Sequence, residues 1–333
     1  MKITVVGSGG WGTAIALLLL ENGNDVTLWS FFEKESEQMR QDGENHFLKG
    51  VPLPKNLKLT ADLSCVSDAD AVVMATPSFA VRETAGRVAK LISPKAVIIS
   101  VSKGIEKESS LCLTQVINEE LHGSNPIAAL SGPSHAEEVG RRIPTGCVAA
   151  CEDIAVAEWV QSLFMNERFR VYASRDIIGV ELGAALKNVI ALCAGCCDGM
   201  GFGDNTKAML MTRGLTEIAR VGVAMGGKKE TFAGLAGMGD LIVTCTSQHS
   251  RNRRAGLLIG AGMSAQDAMK EVGAVVEGYY AAASATEMAK KMGVEMPITE
   301  ATYNVLYNNA PLRETFTTLM TRAKKHETEE SWI

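Results

Sequence analysis

Short apolar runs alternate with helical patterns over the first half of the chain. The strand-like runs lie at 3–6, 26–29, 71–75, 97–101, 127–130 and 148–150, with 169–172 as a further candidate. Near-continuous apolar strands separated by helices are typical of a parallel sheet that helices cover on both faces. Because crossovers between such strands are right-handed, we expect an α/β fold with a doubly wound sheet.

The second half of the chain shows helical periodicity and no strand pattern. Helices are predicted at 177–195, 207–225, 264–272, 279–292 and 299–307, the last with Thr299 as its cap. A length of 333 residues agrees with about two domains. We therefore expect a nucleotide-binding domain at 1–180 and an all-helical domain at 181–333.

Composition excludes several classes of protein. The formal net charge of −5 argues against nucleic acid or an anionic membrane as the main partner. The N-terminus has no signal-peptide pattern, and the apolar run at 14–20 is too short to span a bilayer. We expect a cytoplasmic protein that is not membrane-embedded, and the sequence leaves a homodimer open.

The eight cysteines suggest neither disulfides nor a metal site. Cys193, Cys196 and Cys197 form the tightest group, but no second C-x-x-C completes a zinc site. His249 has no His or carboxylate neighbours at metal-ligand spacing. We expect reduced, buried thiols that serve as small apolar side chains, and no metal.

A glycine-rich loop connects the first strand to the first helix, with the sequence Gly7-Ser8-Gly9-Gly10-Trp11-Gly12. The pattern G-x-G-x-x-G in this strand–helix context is typical of dinucleotide binding. Gly7 permits the tight turn, Gly9 admits the pyrophosphate, and Gly12 allows the helix to pack on the strand. The helix N-terminus offers N–H groups to the phosphates. We expect NAD(H) or NADP(H) as cofactor.

The end of the second strand does not decide between the two cofactors. Phe31 and Phe32 occupy the positions where a carboxylate or a cation usually reads the ribose 2′ group. Charges follow only at Glu33 and Lys34. We therefore expect use of both cofactors, with kcat/KM values that differ by less than about tenfold.

Three further segments place polar groups where a ligand would bind. Lys103 and Ser134 follow strands whose carboxyl ends face the crevice of a doubly wound sheet. Lys103 is either a ligand-binding group or an exposed loop lysine, and Ser134 is either a ligand contact or a helix cap. Lys187 lies among small and apolar residues of a helix, so it either extends to water or is buried and transfers protons.

The second half also contains a concentrated basic segment. His249-Ser250-Arg251-Asn252-Arg253-Arg254 carries three arginines in a loop-like stretch, and Asp240 lies in another. Arginine forks match phosphate oxygens, although a solvated basic turn explains the cluster equally well.

These segments together resemble bacterial glycerol-3-phosphate dehydrogenases of the NAD(P)-dependent type. The matching segments are 7–14, 102–104, 130–138, 179–191, 237–252 and 275–278. The resemblance implies a Rossmann domain followed by a helical domain. It also implies reversible hydride transfer between NAD(P)H and dihydroxyacetone phosphate, which yields sn-glycerol 3-phosphate for glycerophospholipid synthesis.

The resemblance also implies roles for individual residues. Lys187 would transfer the proton, and Lys103 would contact both cofactor and substrate. The implied substrate-binding residues are Lys103, Gly132, Ser134, Lys187, Asp240, Ser250, Arg251 and Asn252. The implied cofactor contacts, beyond the glycine-rich loop and the Phe31–Phe32 pair, are Lys103, Ala136, Arg251, Val275 and Glu277.

Two other functions fit parts of the pattern. A dehydrogenase acting on a β-hydroxyacid, such as 6-phosphogluconate or hydroxyisobutyrate, would share the architecture. A nucleotide-responsive regulator without turnover would share the glycine-rich loop. Asp240 and the segment 249–252 favour the glycerol-phosphate interpretation, and an assay of cofactor oxidation separates the three.

Overall fold

The computed structural model describes residues 1–327, and packing divides the chain into two compact units. The first unit contains Met1–Lys103 and Leu113–Ile177. The second contains Gly104–Cys112 and the chain from Ile178 onward. The short segment Gly104–Cys112 therefore leaves the first unit and returns to it.

Eight strands form one sheet in the first unit, counted over the described residues. Their bounds are β1 (Lys2–Val6), β2 (Asp25–Trp29), β3 (Lys58–Thr60), β4 (Ala71–Met74), β5 (Val97–Ser100), β6 (Ile127–Ser131), β7 (Thr145–Ala150) and β8 (Phe169–Ser174). The spatial order is β3-β2-β1-β4-β5-β6-β7-β8. The first six strands thus follow the order of a Rossmann sheet, with its switch point between β1 and β4.

The helices of the first unit connect these strands. They are α1 (Gly10–Glu21), α2 (Glu33–Asp42), α3 (Val81–Ala89), α4 (Leu113–Glu120), α5 (Ala136–Gly140) and α6 (Ile154–Phe164). Val5, Val73 and Ile99 are fully buried in one apolar core cluster, and the adjacent residues Val72 and Ile98, which project from the opposite face of the sheet, are buried as well. The predicted doubly wound sheet is confirmed.

Two details of the sheet differ from the sequence prediction. The three-residue strand β3 was not predicted, because Lys58–Thr60 is too short and too polar to show a periodicity. Strand β7 runs antiparallel to β6 and parallel to β8, so the sheet is mixed rather than parallel throughout.

The second unit is helical. Its helices are α7 (Ile177–Gly199), α8 (Asp204–Ala224), α9 (Lys229–Phe232), α10 (Asp240–Thr246), α11 (Arg251–Gly260), α12 (Ala265–Val272), α13 (Glu277–Met292), α14 (Pro297–Tyr307) and α15 (Leu312–Met320). A five-residue π-helix, Leu235–Gly239, precedes α10. The helical class predicted for this half is confirmed.

Helix α7 is the central element of the second unit. The helix is long and apolar enough to cross a membrane. However, 83% of its most apolar 18-residue stretch is buried within the fold, as is typical of the core helix of a globular unit. No other described helix passes that test. Its thiols Cys193, Cys196 and Cys197 carry no disulfide. Burial raises the pKa of Cys196 to about 12, which keeps it protonated and unreactive.

Several local predictions for this half were wrong. Asp240 and Arg251 each begin a helix, where the sequence pattern indicated loops. Thr299 does not cap α14, because that helix begins at Pro297 with Met296 as its N-cap. Instead, the Thr299 hydroxyl donates a hydrogen bond to Glu217 Oε2 at 3.3 Å.

Candidate functional site

The glycine-rich loop of the first unit forms the turn that the sequence predicts. Gly7 has a φ of 123°, and a Cβ there would lie 2.7 Å from the carbonyl oxygen of Ala75. A Cβ on Gly12 would lie 1.9 Å from the carbonyl oxygen of Gly7. Only glycine fits either position, so β1, α1 and the end of β4 approach as closely as in dinucleotide-binding folds.

The space beside this turn suits a pyrophosphate. Apart from Gly9 itself and the chain adjoining it, no heavy atom of the described residues lies within 4 Å of a Cβ built on Gly9. Gly9 is the N-cap of α1, and neither a capping side chain nor an acidic residue occupies the first turn of that helix. The N–H groups and the positive end of the helix dipole therefore face room for an anion. These residues fit a dinucleotide phosphate.

Trp11 and Ala136 lie next to this loop. The Trp11 indole donates to the carbonyl oxygen of Val101 at 3.2 Å, just after β5. A Cβ on Gly10 would lie 3.7 Å from the Ala136 Cβ, at the start of α5. The structure thus brings together these two predicted cofactor contacts and the glycine-rich loop.

Three predicted substrate residues of the first unit form one cluster. Lys103 Nζ donates to the carbonyl oxygen of Gly132 at 3.0 Å. The Ser134 hydroxyl donates to the same oxygen, also at 3.0 Å. Ser134 does not cap α5, whose N-cap is His135. Lys103 is half-buried rather than freely exposed, which favours a ligand-binding role for this cluster.

Lys187 is buried in the second unit with two polar partners. Its Nζ lies 2.5 Å from Asp240 Oδ1 and 2.6 Å from Thr244 Oγ1. Lys187 is 5% exposed and Asp240 is 1% exposed. Burial of a charge this deep requires a paired and hydrogen-bonded partner, which Asp240 supplies. The alternative in which Lys187 extends to water is wrong.

Close backbone packing explains how Asp240 reaches Lys187. A Cβ on Gly183, one turn before Lys187 on α7, would lie 2.9 Å from the carbonyl oxygen of Ala236. Ala236 lies in the π-helix directly before α10, four residues before Asp240. A glycine is therefore needed for the approach of the two segments. The π-helical turn is a feature that often accompanies functional sites.

Asn252 of α11 is hydrogen-bonded to Asn188 of α7. Its side-chain amide donates to Asn188 Oδ1 at 2.9 Å, and its own Oδ1 accepts from the Gly278 N–H at 2.8 Å. Ser250 caps α11, because its hydroxyl accepts from the Arg253 N–H at 3.2 Å. The segment 250–252 is therefore held at the N-terminus of α11, with Asn252 hydrogen-bonded to the residue that follows Lys187 on α7.

The arginines that follow Ser250 have different environments. Arg253 Nε and Nη2 lie 2.7 Å and 2.6 Å from Asp198 Oδ2, and Lys207 Nζ lies 2.8 Å from the other oxygen of this carboxylate. Arg251 and Arg254 are exposed. Arg253 is thus engaged in the fold, whereas Arg251 presents its side chain to solvent at the first position of α11.

Val275 and Glu277 lie at the start of α13 in the second unit. Both are half-buried, and they are separated by Val276, the N-cap of α13. Chain connectivity places Glu277 next to Gly278, which is hydrogen-bonded to Asn252. The structure therefore brings these two predicted residues together with the segment 250–252.

A carboxylate lies near the end of β2, where sequence reasoning found none. The Ser30 hydroxyl donates to Glu35 Oε2 at 2.6 Å. The Ser8 hydroxyl lies 2.8 Å from Ser30 Oγ and 3.3 Å from Glu35 Oε2. Phe31 and Phe32, by contrast, are 56% and 58% exposed. Glu35 is five residues beyond Ser30 in sequence, too far along for the usual spacing rule to find it.

Two further polar residues that contact the candidate site were not predicted from the sequence. Thr244 was missed, although its i,i+4 spacing from Asp240 places both side chains on one face of α10. Nothing in the sequence pattern pointed to Asn188, apart from its position directly after Lys187. Among the described residues, no group of three or more His, Cys, Asp or Glu side chains is placed to hold a metal ion.

Fold and site together define a class of protein. A Rossmann sheet with a dinucleotide loop, followed by a helical unit with a buried Lys–Asp pair, is the architecture of a two-domain dehydrogenase. The family models agree: the NAD-dependent glycerol-3-phosphate dehydrogenase N-terminus matches residues 2–157, and the C-terminus of the same family matches 176–317. The chain belongs to the NAD-dependent glycerol-3-phosphate dehydrogenase family.

Similar proteins cover the chain from end to end. A glycerol-3-phosphate dehydrogenase [NAD(P)+] of Fusobacterium nucleatum is 50% identical, with 100% of each chain covered. That of Bacillus subtilis is 49% identical over 99% of this chain and 96% of its own. The crystal structure of glycerol-3-phosphate dehydrogenase from Coxiella burnetii superposes with a TM-score of 0.93 at 37% identity, covering 96% of this chain and 99% of that one.

Proposed function

We propose that the protein is an NAD(P)-dependent sn-glycerol-3-phosphate dehydrogenase that interconverts dihydroxyacetone phosphate and sn-glycerol 3-phosphate. The observation that carries the proposal is the buried Lys187–Asp240 pair in a chain of this family. The bound nicotinamide supplies or accepts the hydride. The remaining chemistry, which is proton transfer and orientation, falls to side chains of the protein.

Lys187 is the proton-transferring residue in this proposal. In the reductive direction, the C2 carbonyl oxygen gains negative charge, and the Lys187 ammonium stabilises that charge and donates its proton. Asp240 Oδ1 and Thr244 Oγ1 hold Nζ in a fixed position. In the oxidative direction, the neutral amine accepts the hydroxyl proton of glycerol 3-phosphate.

The other site residues hold the two ligands. We propose that Arg251, with Ser250 and Asn252, binds the substrate phosphate, since an exposed guanidinium at a helix N-terminus provides both charge and a fork of donors. Lys103, Gly132 and Ser134, which the fold brings into one cluster, are further proposed substrate contacts. The glycine-rich loop and Ala136 are proposed to bind the dinucleotide, and Val275 and Glu277 are further proposed cofactor contacts.

The division that the sequence predicts near residue 180 supports separate roles for the two parts of the chain. We propose that residues 1–180 bind the cofactor and that residues 181–333 supply the proton donor and most substrate contacts. The product supplies glycerophospholipid synthesis in the cytoplasm. The net charge of −5 and the burial of α7 support a function independent of nucleic acid and membrane.

Replacement of Lys187 tests the proposal. Lys187→Ala should lower kcat for dihydroxyacetone phosphate reduction by roughly 10²-fold or more, because a general acid and its electrostatic help are lost. The dissociation constant of the reduced cofactor should change little. Lys290→Ala, at an exposed position of α13, is the matched control. Near-normal kcat in Lys187→Ala would refute the assignment, and absence of turnover in the wild type would favour a regulator.

A further inference from the structure

Glu35 is tied to the cofactor loop by a chain of buried hydroxyl groups. Ser8, the second residue of the glycine-rich loop, is 7% exposed, and Ser30, directly after β2, is fully buried. Their hydroxyls and Glu35 Oε2 are mutually within hydrogen-bond distance, from 2.6 to 3.3 Å. Glu35 lies in the first turn of α2, which carries its carboxylate back toward the end of β2.

The end of β2 is where a Rossmann fold reads the ribose of its dinucleotide. A carboxylate there accepts a hydrogen bond from the 2′-hydroxyl of NAD(H) and repels the 2′-phosphate of NADP(H). We infer that the Glu35 carboxylate, placed beside Ser8 and Ser30, makes this protein select NAD(H) over NADP(H). The inference rests on the proposed function for the identity of the ligand. It replaces the expectation of equal cofactor use, which assumed that this position holds only Phe31 and Phe32.

The guanidinium of Arg87 is a nearby positive charge that would oppose the repulsion of a 2′-phosphate by Glu35. The Arg87 guanidinium carbon lies 5.3 Å from the centre of the Phe31 ring and 5.5 Å from that of Trp29. An arginine in such a position can pair with a phosphate. The carboxylate is nevertheless the group that contacts the loop itself, through Ser8. Its negative charge therefore acts directly on whatever that loop binds.

Equilibrium binding tests the inference without turnover. Dissociation constants for NADH and NADPH are measured from nicotinamide fluorescence in the wild type, Glu35→Gln and Glu35→Asp. The wild type should bind NADH at least about tenfold more tightly, which corresponds to about 1.4 kcal/mol. Glu35→Gln retains an oxygen that accepts from Ser30 but loses the charge, so NADPH affinity should rise and the preference should disappear. Glu35→Asp should keep the preference.

Glu33→Gln is the matched control for charge. Glu33 lies on the same helix, is 57% exposed in its side chain and pairs with Arg40 at 3.5 Å. This variant removes one negative charge from α2 and should leave the preference unchanged.

Two results would overturn the inference. One is a wild type that binds NADH and NADPH equally, or that prefers NADPH, as expected if Arg87 pairs with the 2′-phosphate. The other is a Glu35→Gln variant in which the affinities for NADH and NADPH fall by the same factor, as expected if Glu35 only supports the loop. Preferential NADH binding without reduction of dihydroxyacetone phosphate would refute the proposed function and support the cofactor inference. If neither NADH nor NADPH bound, the proposed function and the cofactor inference would both be refuted.

Discussion

Lys187 and Arg251 carry positive charge in opposite settings. Lys187 is almost completely buried, and its charge is balanced by Asp240 at 2.5 Å. Arg251 is exposed at the first position of α11, in a chain with a net charge of −5. A buried, held ammonium suits proton transfer, whereas an accessible guanidinium suits capture of a phosphate dianion. The two residues are thus suited to different parts of the same reaction.

The phosphate role of Arg251 predicts a specific loss. Arg251→Lys keeps the charge but removes the fork, so kcat/KM for dihydroxyacetone phosphate should fall by about tenfold or more, mainly through KM. Arg254→Lys, exposed on the same helix, should have little effect. Steady-state kinetics at one ionic strength measure kcat and KM for the two variants. Unchanged values in Arg251→Lys and in Arg251→Ala would mean that the phosphate is bound elsewhere.

The residue types of the site could be predicted from sequence, but their partners could not. The small residues before Lys187 indicated a close approach, and Gly183 does pack against Ala236. However, Asp240 lies 53 positions beyond Lys187, and local periodicity carries no information about which distant segment arrives. Glu35 was missed for a related reason, since a helix turn rather than a strand end brings its carboxylate to Ser30.

At the scale of elements, α7 and α11 pack side by side in a fixed register. Asn252 contacts Asn188, and one turn further a Cβ on Gly256 would lie 1.9 Å from the carbonyl oxygen of Leu192. A further turn on, a Cβ on Gly260 would lie 2.3 Å from the carbonyl oxygen of Cys196. Glycines thus permit backbone contact along the pair, and this contact fixes the N-terminus of α11 beside Asn188, the residue that follows Lys187.

A second pair of elements, α8 and α14, is joined by a buried carboxylate. Glu217 on α8 accepts hydrogen bonds from the backbone N–H groups of Ile298 (2.7 Å) and Thr299 (3.2 Å) in the first turn of α14. Burial raises the pKa of Glu217 from 4.5 to about 7, although these hydrogen bonds and the charge of Arg220 act to lower it. Desolvation of the charged form therefore outweighs its capping partners.

This carboxylate predicts a dependence of stability on pH. The pKa is higher in the folded state, so the stabilising contribution is complete below pH 4.5 and is lost as the pH rises through about 7. The loss should reach about 3 kcal/mol in the free energy of unfolding by pH 8, at about 1.4 kcal/mol per pKa unit.

Glu217→Gln should abolish this loss, because an amide does not titrate. Urea unfolding between pH 5 and pH 8 compares the wild type with this variant and with Glu300→Gln. Glu300 is exposed in the first turn of the same helix and serves as the control. The wild type should become less stable relative to Glu217→Gln as the pH rises. A constant difference across the range would show that Glu217 keeps its ordinary pKa.

At the scale of the whole molecule, the chain passes between the two units three times. Sequence patterns indicated a single division near residue 180, because the nine residues of Gly104–Cys112 are too few to show any periodicity. Ile105 and Cys112 nevertheless belong to the apolar core of the second unit, together with residues of α7, α8 and α13. A segment that is early in the sequence thus completes a core built from the second half.

The stability of the second unit should therefore depend on Ile105. Ile105 is 5% exposed, so Ile105→Ala should destabilise that unit by about 2–5 kcal/mol, through lost burial and the cavity left behind. Hydrogen exchange of the full-length protein, followed by mass spectrometry, locates the effect. Exchange should accelerate in α7, α8 and α13 and remain slow in β4 and β5. Ile99→Ala, a fully buried site on β5, is the control and should produce the converse pattern. If Ile105→Ala accelerated exchange in the strands and spared the helices, the segment would contribute to the first unit instead.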